Sequence, residues 1–307
     1  MKRALLILVT LTAGVAAAQS VGAPIDPQQA ERCAVRLGIA FTGRSPDAAL
    51  LSQANPQTQV SELLKTTAFI ERFARFVNST FNDEPGATSV EDSAYHLAKY
   101  VLTNGKPWTD MFLGPYNVDT VNGQVQVQSD PNGLGYFRSM PWLKRYAGNE
   151  EQGIKLSTAY RMLNNVTGVK LVPSVNAAGV DVSAAGREGA GCRGCHYDGW
   201  FALDRIASVL TKRKGTGDDL TFEPPTAGPQ VLLDGQLIAD DKELITALVN
   251  SPNFEFNTCR LAFQFLYGRK ELACEGPVFD RCVDAFRAEK TIQSALLAVA
   301  GDASYCR

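Results

Sequence analysis

The chain has 307 residues, of which 45% are hydrophobic and 20% are charged, and its formal net charge is -2 at pH 7. This composition is typical of a soluble globular protein, and the length allows one large or two modest domains, each with a proper core. The sequence contains no basic region of the kind that binds nucleic acid and no internal repeat. Nucleic acid is therefore excluded as an expected partner.

The N-terminus has the three parts of a secretory signal peptide. Residues 1–3 include two basic side chains, residues 4–13 are apolar, and small residues at 16–18 precede Gln19. This pattern predicts a signal peptide over residues 1–18, and its apolar part is shorter than a membrane-spanning helix requires. We expect a periplasmic or otherwise exported protein with no membrane span after cleavage. An uncleaved anchor is the alternative.

Apolar residues recur at helical spacing along the segment that follows. Ser45 before Pro46 predicts the N-cap of a further helix, and Asn122-Gly123 between alternating residues of 118–128 predicts a small hairpin. Helices are predicted over residues 27–41, 59–67, 68–81, 91–103 and 152–165.

The last third of the chain is also predicted to be mainly helical, with a loop over 214–229 and a small strand and turn over 231–237. Its helices are predicted over residues 200–210, 241–250, 253–267 and 277–299, the last interrupted near Lys290. We therefore predict a mainly α, multi-helical c-type haem protein with a minor β-hairpin and long loops. Residues 19–186 form its N-terminal helical region, and residues 187–307 form its haem-bearing C-terminal helical region.

The haem is predicted from residues 192–196, which read CRGCH. The spacing C-x-x-C-H is the attachment motif of a c-type haem. Two thiols three residues apart on one turn can add to the two vinyl groups of a porphyrin, and the adjacent imidazole then ligates the iron. We predict one covalent haem c, attached through Cys192 and Cys195, with His196 as its proximal ligand.

The motif has three other interpretations: a thioredoxin-like C-x-x-C, half of a zinc site, and a structural disulfide. A thioredoxin-like motif belongs in a βαβ setting, which the pattern of elements does not indicate. A zinc site needs two further ligands at similar spacing, and the sequence has no second C-x-x-C and no H-x-x-x-H. The sequence therefore favours haem attachment.

Five of the seven cysteines remain after the haem motif. In an exported protein these should be largely oxidised, and an odd number leaves one thiol unpaired. Cys274 and Cys282 flank a short loop and are expected to pair, while Cys259 with Cys306 would clamp the last helices together, leaving Cys33. Spacing alone does not determine this connectivity.

The sixth ligand of the iron decides between two functions. A strong distal ligand favours electron transfer, whereas an open site permits small-ligand binding or redox catalysis. No methionine follows His196, so the distal candidates are His96, Met140 and Met162, and the alternative is no protein ligand. Asp198 is a candidate partner for the second ring nitrogen of His196, with a solvated loop carboxylate as the alternative.

The segment from the motif onward also carries a family pattern. Residues 197–203 read YDGWFAL, 233–235 read LDG and 265–269 read FLYGR; residues 104–108, NGKPW, are a weaker upstream match. These features resemble the haem-bearing C-terminal region of planctomycete-type exported cytochrome proteins, which are built of domains of unknown function. Trp200 is an insertion relative to that pattern. The resemblance implies a c-type haem protein outside the cytoplasm, with no settled reaction.

The predicted function is a periplasmic monohaem c-type cytochrome that passes single electrons to or from an unidentified redox partner protein. Any catalysis would take place at the haem iron. The alternatives are an open-site haem enzyme or small-ligand sensor, and a docking module in which haem is mainly structural.

Overall fold

The computed structural model describes residues 26–86, 92–139, 142, 156–171, 179–214, 221–225 and 227–307. The predicted signal peptide lies outside these residues. The described α-helices, in chain order, are α1 (Pro27–Leu37), α2 (Ala48–Leu51), α3 (Val60–Leu63), α4 (Thr67–Phe81), α5 (Ser93–Thr103), α6 (Asp110–Leu113), α7 (Leu156–Thr167), α8 (Ala184–Arg187), α9 (Leu203–Ser208), α10 (Asp241–Val249), α11 (Pro252–Tyr267), α12 (Gly276–Glu289) and α13 (Ile292–Ala300).

The described strands form two-stranded antiparallel hairpins: β1 (Tyr116–Val121) with β2 (Gln124–Ser129), β3 (Lys212–Lys214) with β4 (Thr221–Glu223), and β5 (Gln230–Leu232) with β6 (Gln236–Ile238). In the first hairpin Asn122 and Gly123 both have positive φ, 52° and 76°. That is the backbone of a two-residue type I′ turn, which suits the twist of paired strands. The predicted hairpin and the mainly α fold are confirmed.

One hydrophobic core joins the two halves of the chain. The rings of Phe69 and Phe73 on α4 lie 6.0 and 4.9 Å from that of Phe265 on α11, measured between centroids. Helix α7 packs against α9, α10 and α11. The boundary near residue 186 therefore separates two segments of the chain that share one core.

The second helix begins later than predicted. Its N-cap is Asp47, whose carboxylate accepts a hydrogen bond from the Leu50 amide at 2.8 Å. A carboxylate side chain at this position satisfies one of the unpaired amides of the first helical turn. The Ser45 N-cap was therefore a wrong prediction, because an equally good capping residue follows Pro46.

The interruption predicted near Lys290 is confirmed. Lys290 ends α12 with φ 56° and accepts a hydrogen bond from the Trp108 amide at 2.7 Å through its carbonyl oxygen. A left-handed conformation costs a residue with a Cβ about 1–2 kcal/mol, a penalty that glycine avoids.

Replacing Lys290 with Gly is expected to raise the free energy of unfolding by about 0.5–1 kcal/mol, since the strain is relieved and the backbone bond is kept. Glu289→Gly, at the exposed last position of α12, is the matched control and should lower it by a similar amount. Urea unfolding measures both changes. A Lys290→Gly variant that is less stable than the original chain would contradict the inferred backbone strain at Lys290.

The disulfides differ from the predicted pairs. Cys33 pairs with Cys306 and Cys259 with Cys282, with Cα–Cα distances of 4.9 and 5.9 Å, and Cys274 is free and exposed. The predicted Cys274–Cys282 and Cys259–Cys306 bonds were therefore wrong. Cys259 and Cys282 are both buried on packed helices, α11 and α12. Helix pairing, rather than closeness in sequence, sets which thiols meet.

The Cys33–Cys306 bond connects α1 to the C-terminus across a sequence separation of 273. Replacing Cys33 with Ser is expected to lower the free energy of unfolding by about 2–4 kcal/mol, because the bond restricts the unfolded chain over a long loop. Cys274→Ser is the control and should change it by less than about 0.5 kcal/mol. Equal denaturation midpoints for the two variants would contradict the assigned pairing.

Candidate haem-binding site

The C-x-x-C-H motif forms one tight helical turn. The amides of Cys192 and Arg193 donate to the carbonyl oxygen of Gly189 at 3.0 and 2.9 Å, and the His196 amide donates to the carbonyl of Cys192 at 3.2 Å. A wider, π-type turn then covers Gly194–Asp198. The structure therefore places both thiols and the imidazole on the same short stretch of helical backbone.

The two thiols of the motif are accessible and unpaired. Cys195 is exposed and Cys192 is half-buried, whereas four other cysteines of the chain form disulfides. Just after the turn, a Cβ at Gly199 would collide with the carbonyl oxygen of Gly194. Glycine at this position lets the chain fold back closely toward α9.

The ring of His196 is fixed by a carboxylate from α9. Its Nδ1 lies 2.6 Å from Oδ2 of Asp204, whose side chain is only 4% exposed. An ionised carboxylate only accepts hydrogen bonds, so Nδ1 carries the proton and donates it. Nε2 makes no hydrogen bond to any described residue, and its lone pair is the one that a metal ligand requires.

Arg187 at the end of α8 holds the same carboxylate from the other side. Its Nε lies 3.1 Å from both oxygens of Asp204, and its Nη2 lies 2.8 Å from Oδ1. A fourth bond, from Nη1 to the carbonyl of Val182 at 2.6 Å, orients the guanidinium. We call this chain of contacts the His196–Asp204–Arg187 relay. Forked charge-assisted bonds of this kind define the position of a carboxylate closely.

Tyr197 lies beside the relay. Burial raises the pKa of its phenol, and the Asp204 and Glu188 carboxylates raise it further. The phenol therefore stays protonated at neutral pH and donates to the carbonyl oxygen of Ala184 at 3.4 Å.

Sequence reasoning missed Asp204 and Arg187. Asp198, the carboxylate considered for His196, instead accepts a hydrogen bond from Nε of Arg193 at 2.8 Å, and both side chains are about half exposed. A signal for Asp204 was present, because it is an acidic residue on the otherwise apolar face of α9 that buries Ile206 and Ala207. Nothing in the local pattern pointed to Arg187, which lies 17 residues before Asp204.

The candidate distal ligands of the iron lie on different elements of the chain. His96 lies half-buried on α5, edge-on to the ring of Tyr95, and α5 packs on α4, α6 and the first hairpin. Met162 is buried in the core on α7, which packs against α9. Met140 lies outside the described residues.

A cavity of about 800 Å³ opens beside Trp200, between the β5–β6 hairpin and α10. Its size is within the range of small-molecule and cofactor pockets, ~300–1,000 Å³. Phe201 and Leu203, which follow the motif, are half-buried against the core, and Ile206 is fully buried in it. Residues that line the cavity include Trp200, Leu233, Leu237, Lys242, Ala247 and Pro252.

No protein-family model, curated protein or solved structure matches this chain. Among the described residues, no group of three His, Cys, Asp or Glu side chains is arranged to hold a metal ion. None of the described helices is long and apolar enough to cross a membrane. The resemblance to planctomycete-type cytochrome proteins stays a prediction.

Proposed function

We propose that this chain is an exported monohaem c-type cytochrome that transfers single electrons to or from a partner protein. One observation carries the proposal. Two unpaired thiols share a helical turn with a histidine whose Nδ1 is bonded to a buried carboxylate. The residues present fit a covalent haem, because attachment needs free thiols and ligation needs a free Nε2.

The residues of the turn would hold the haem in two ways. Cys192 and Cys195 would hold the group covalently, each through one carbon–sulfur bond to a former vinyl group of the porphyrin. His196 would supply Nε2 to the iron, and Asp204 holds the imidazole ring through Nδ1. The bound haem supplies the one-electron iron couple.

Export is part of the proposal, because covalent haem attachment in bacteria takes place outside the cytoplasm. The basic and apolar N-terminal pattern supports it. The Cys33–Cys306 and Cys259–Cys282 disulfides also support it, since such bonds persist in oxidising compartments.

A second candidate is an open-site haem enzyme or small-ligand sensor. The cavity beside Trp200, a residue four positions after His196 in the sequence, favours it, because that volume leaves room for a small molecule. The described distal candidates also favour an open site. Met162 is buried in the hydrophobic core, and His96 lies on α5, which packs against other elements of the N-terminal half.

Optical spectra of purified holoprotein, oxidised and reduced, with and without carbon monoxide, separate these candidates. A low-spin spectrum that carbon monoxide leaves unchanged is the result expected for electron transfer. Ready binding of carbon monoxide would establish an open site instead. A haem that cannot be cycled between ferric and ferrous at any accessible potential would leave only the structural role.

A further inference from the structure

The proximal histidine of the proposed haem site bonds to a charged group. His196 Nδ1 lies 2.6 Å from Oδ2 of Asp204. The common partners of such a ring nitrogen are a carboxylate, a backbone carbonyl and water, and the choice among them changes the basicity of the ligand. Here the partner is a carboxylate, that of Asp204, rather than a backbone carbonyl.

The surroundings strengthen that anion's effect. The Asp204 side chain is 4% exposed, so little water screens its charge from the imidazole. Arg187, itself 12% exposed, binds the carboxylate through two nitrogens and prevents it from turning away from the ring. The partner of His196 is therefore both charged and held in place.

We propose that Asp204 is a positioning residue that gives the proximal imidazole partial imidazolate character and so lowers the reduction potential of the haem. This inference rests on the proposed function, since it concerns the ligand of the proposed haem. The hydrogen bond pulls the Nδ1 proton toward Asp204 and leaves more electron density on Nε2. A more electron-rich ligand stabilises ferric over ferrous iron, which is one of the levers by which proteins set haem potentials.

The same contact restricts the class of redox partner. A cytochrome whose ferric form is favoured accepts electrons only from a stronger reductant and, once reduced, donates readily to many acceptors. We therefore place this chain after a low-potential electron donor. The redox partner would not need to contact the His196–Asp204–Arg187 relay, because the relay acts on the potential of the haem.

The test compares three variants as covalent holoproteins: Asp204→Asn, Asp204→Glu and Asp198→Asn. Asp204→Asn keeps the shape and removes the charge, so it should shift the ferric–ferrous equilibrium about tenfold toward ferrous iron. For a one-electron couple that is a rise of about 59 mV in midpoint potential. Asp204→Glu should recover part of the original value. Asp198→Asn is the matched control, an acidic residue of the same segment paired with Arg193, and should leave the potential unchanged.

The electron paramagnetic resonance spectrum of each ferric holoprotein is the second readout. Its g values report the ligand field of the proximal imidazole and should move in Asp204→Asn but not in Asp198→Asn. A merely structural role for Asp204 would not move them. An Asp204→Asn holoprotein with an unchanged potential and unchanged g values would overturn the inference.

If Asp204→Asn does not fold, the original holoprotein still tests the inference. In its ferrous form, proton NMR should show the Nδ1 proton of His196 shifted far downfield, as a strong bond to a carboxylate requires. A resonance in the range of a bond to a neutral carbonyl would refute it. Failure of the haem assignment, on which the proposed function rests, looks different, because the original chain would then carry no covalent haem at all.

Discussion

Replacing Cys192 and Cys195 together with Ala is expected to abolish covalent haem attachment. The two thiols lie on one turn, and both are free and accessible. Without them no carbon–sulfur bond can form, so any haem retained by His196 would dissociate on denaturation. Haem staining after denaturing electrophoresis and the intact mass of the chain, co-expressed with a haem-attachment system, measure the loss.

Cys274→Ala is the matched control for this experiment. Cys274 is the third free cysteine of the chain and is exposed, but it lies in the segment before α12. Its replacement should leave the full mass increment of one haem. Covalent haem that persists in the double variant would contradict the assignment of the motif and, with it, the proposed function.

The second large effect is expected on stability. Arg187→Met should lower the free energy of unfolding by about 3–5 kcal/mol, since removing one partner of a buried ion pair leaves the other charge uncompensated. The Arg187 and Asp204 side chains are 12% and 4% exposed, so water cannot replace the lost guanidinium. Urea unfolding followed by circular dichroism measures the change.

Arg193→Met provides the comparison for that measurement. Arg193 pairs with Asp198 through a bond of the same length, 2.8 Å, but the two side chains are 51% and 54% exposed. Exposed ion pairs contribute about 0–1 kcal/mol, so this variant should unfold close to the original midpoint. Similar losses in both variants would show that the relay is not the buried ion pair described above.

Several elements were predictable because their causes are local. The first hairpin follows from Asn122-Gly123, two residues that tolerate positive φ between alternating strands. The helices α4, α11 and α12 follow from apolar spacing, and the end of α12 at Lys290 lies where the prediction placed it. The geometry of one helix or one turn sets the local spacing of apolar residues, so the sequence alone is enough to predict these elements.

The disulfides and the relay were not predictable in this way. Cys33 meets Cys306 over a separation of 273 residues, and Asp204 joins His196 to a guanidinium 17 residues away from it. Such contacts depend on how α1, α8 and α9 pack against the rest of the molecule. For Asp204 the sequence carried only a hint, an acidic residue on a buried helical face.

The sequence by itself determined the motif at residues 192–196 and the mainly α character of the chain, and it predicts an export signal before Gln19. Each of these features depends on residues that are close together in the sequence, so short-range geometry specifies it. Only the tertiary structure decided which cysteines pair and which carboxylate holds His196. The paired cysteines lie on separate elements, as do His196 and Asp204, and the packing of the helices around one core selects the partners.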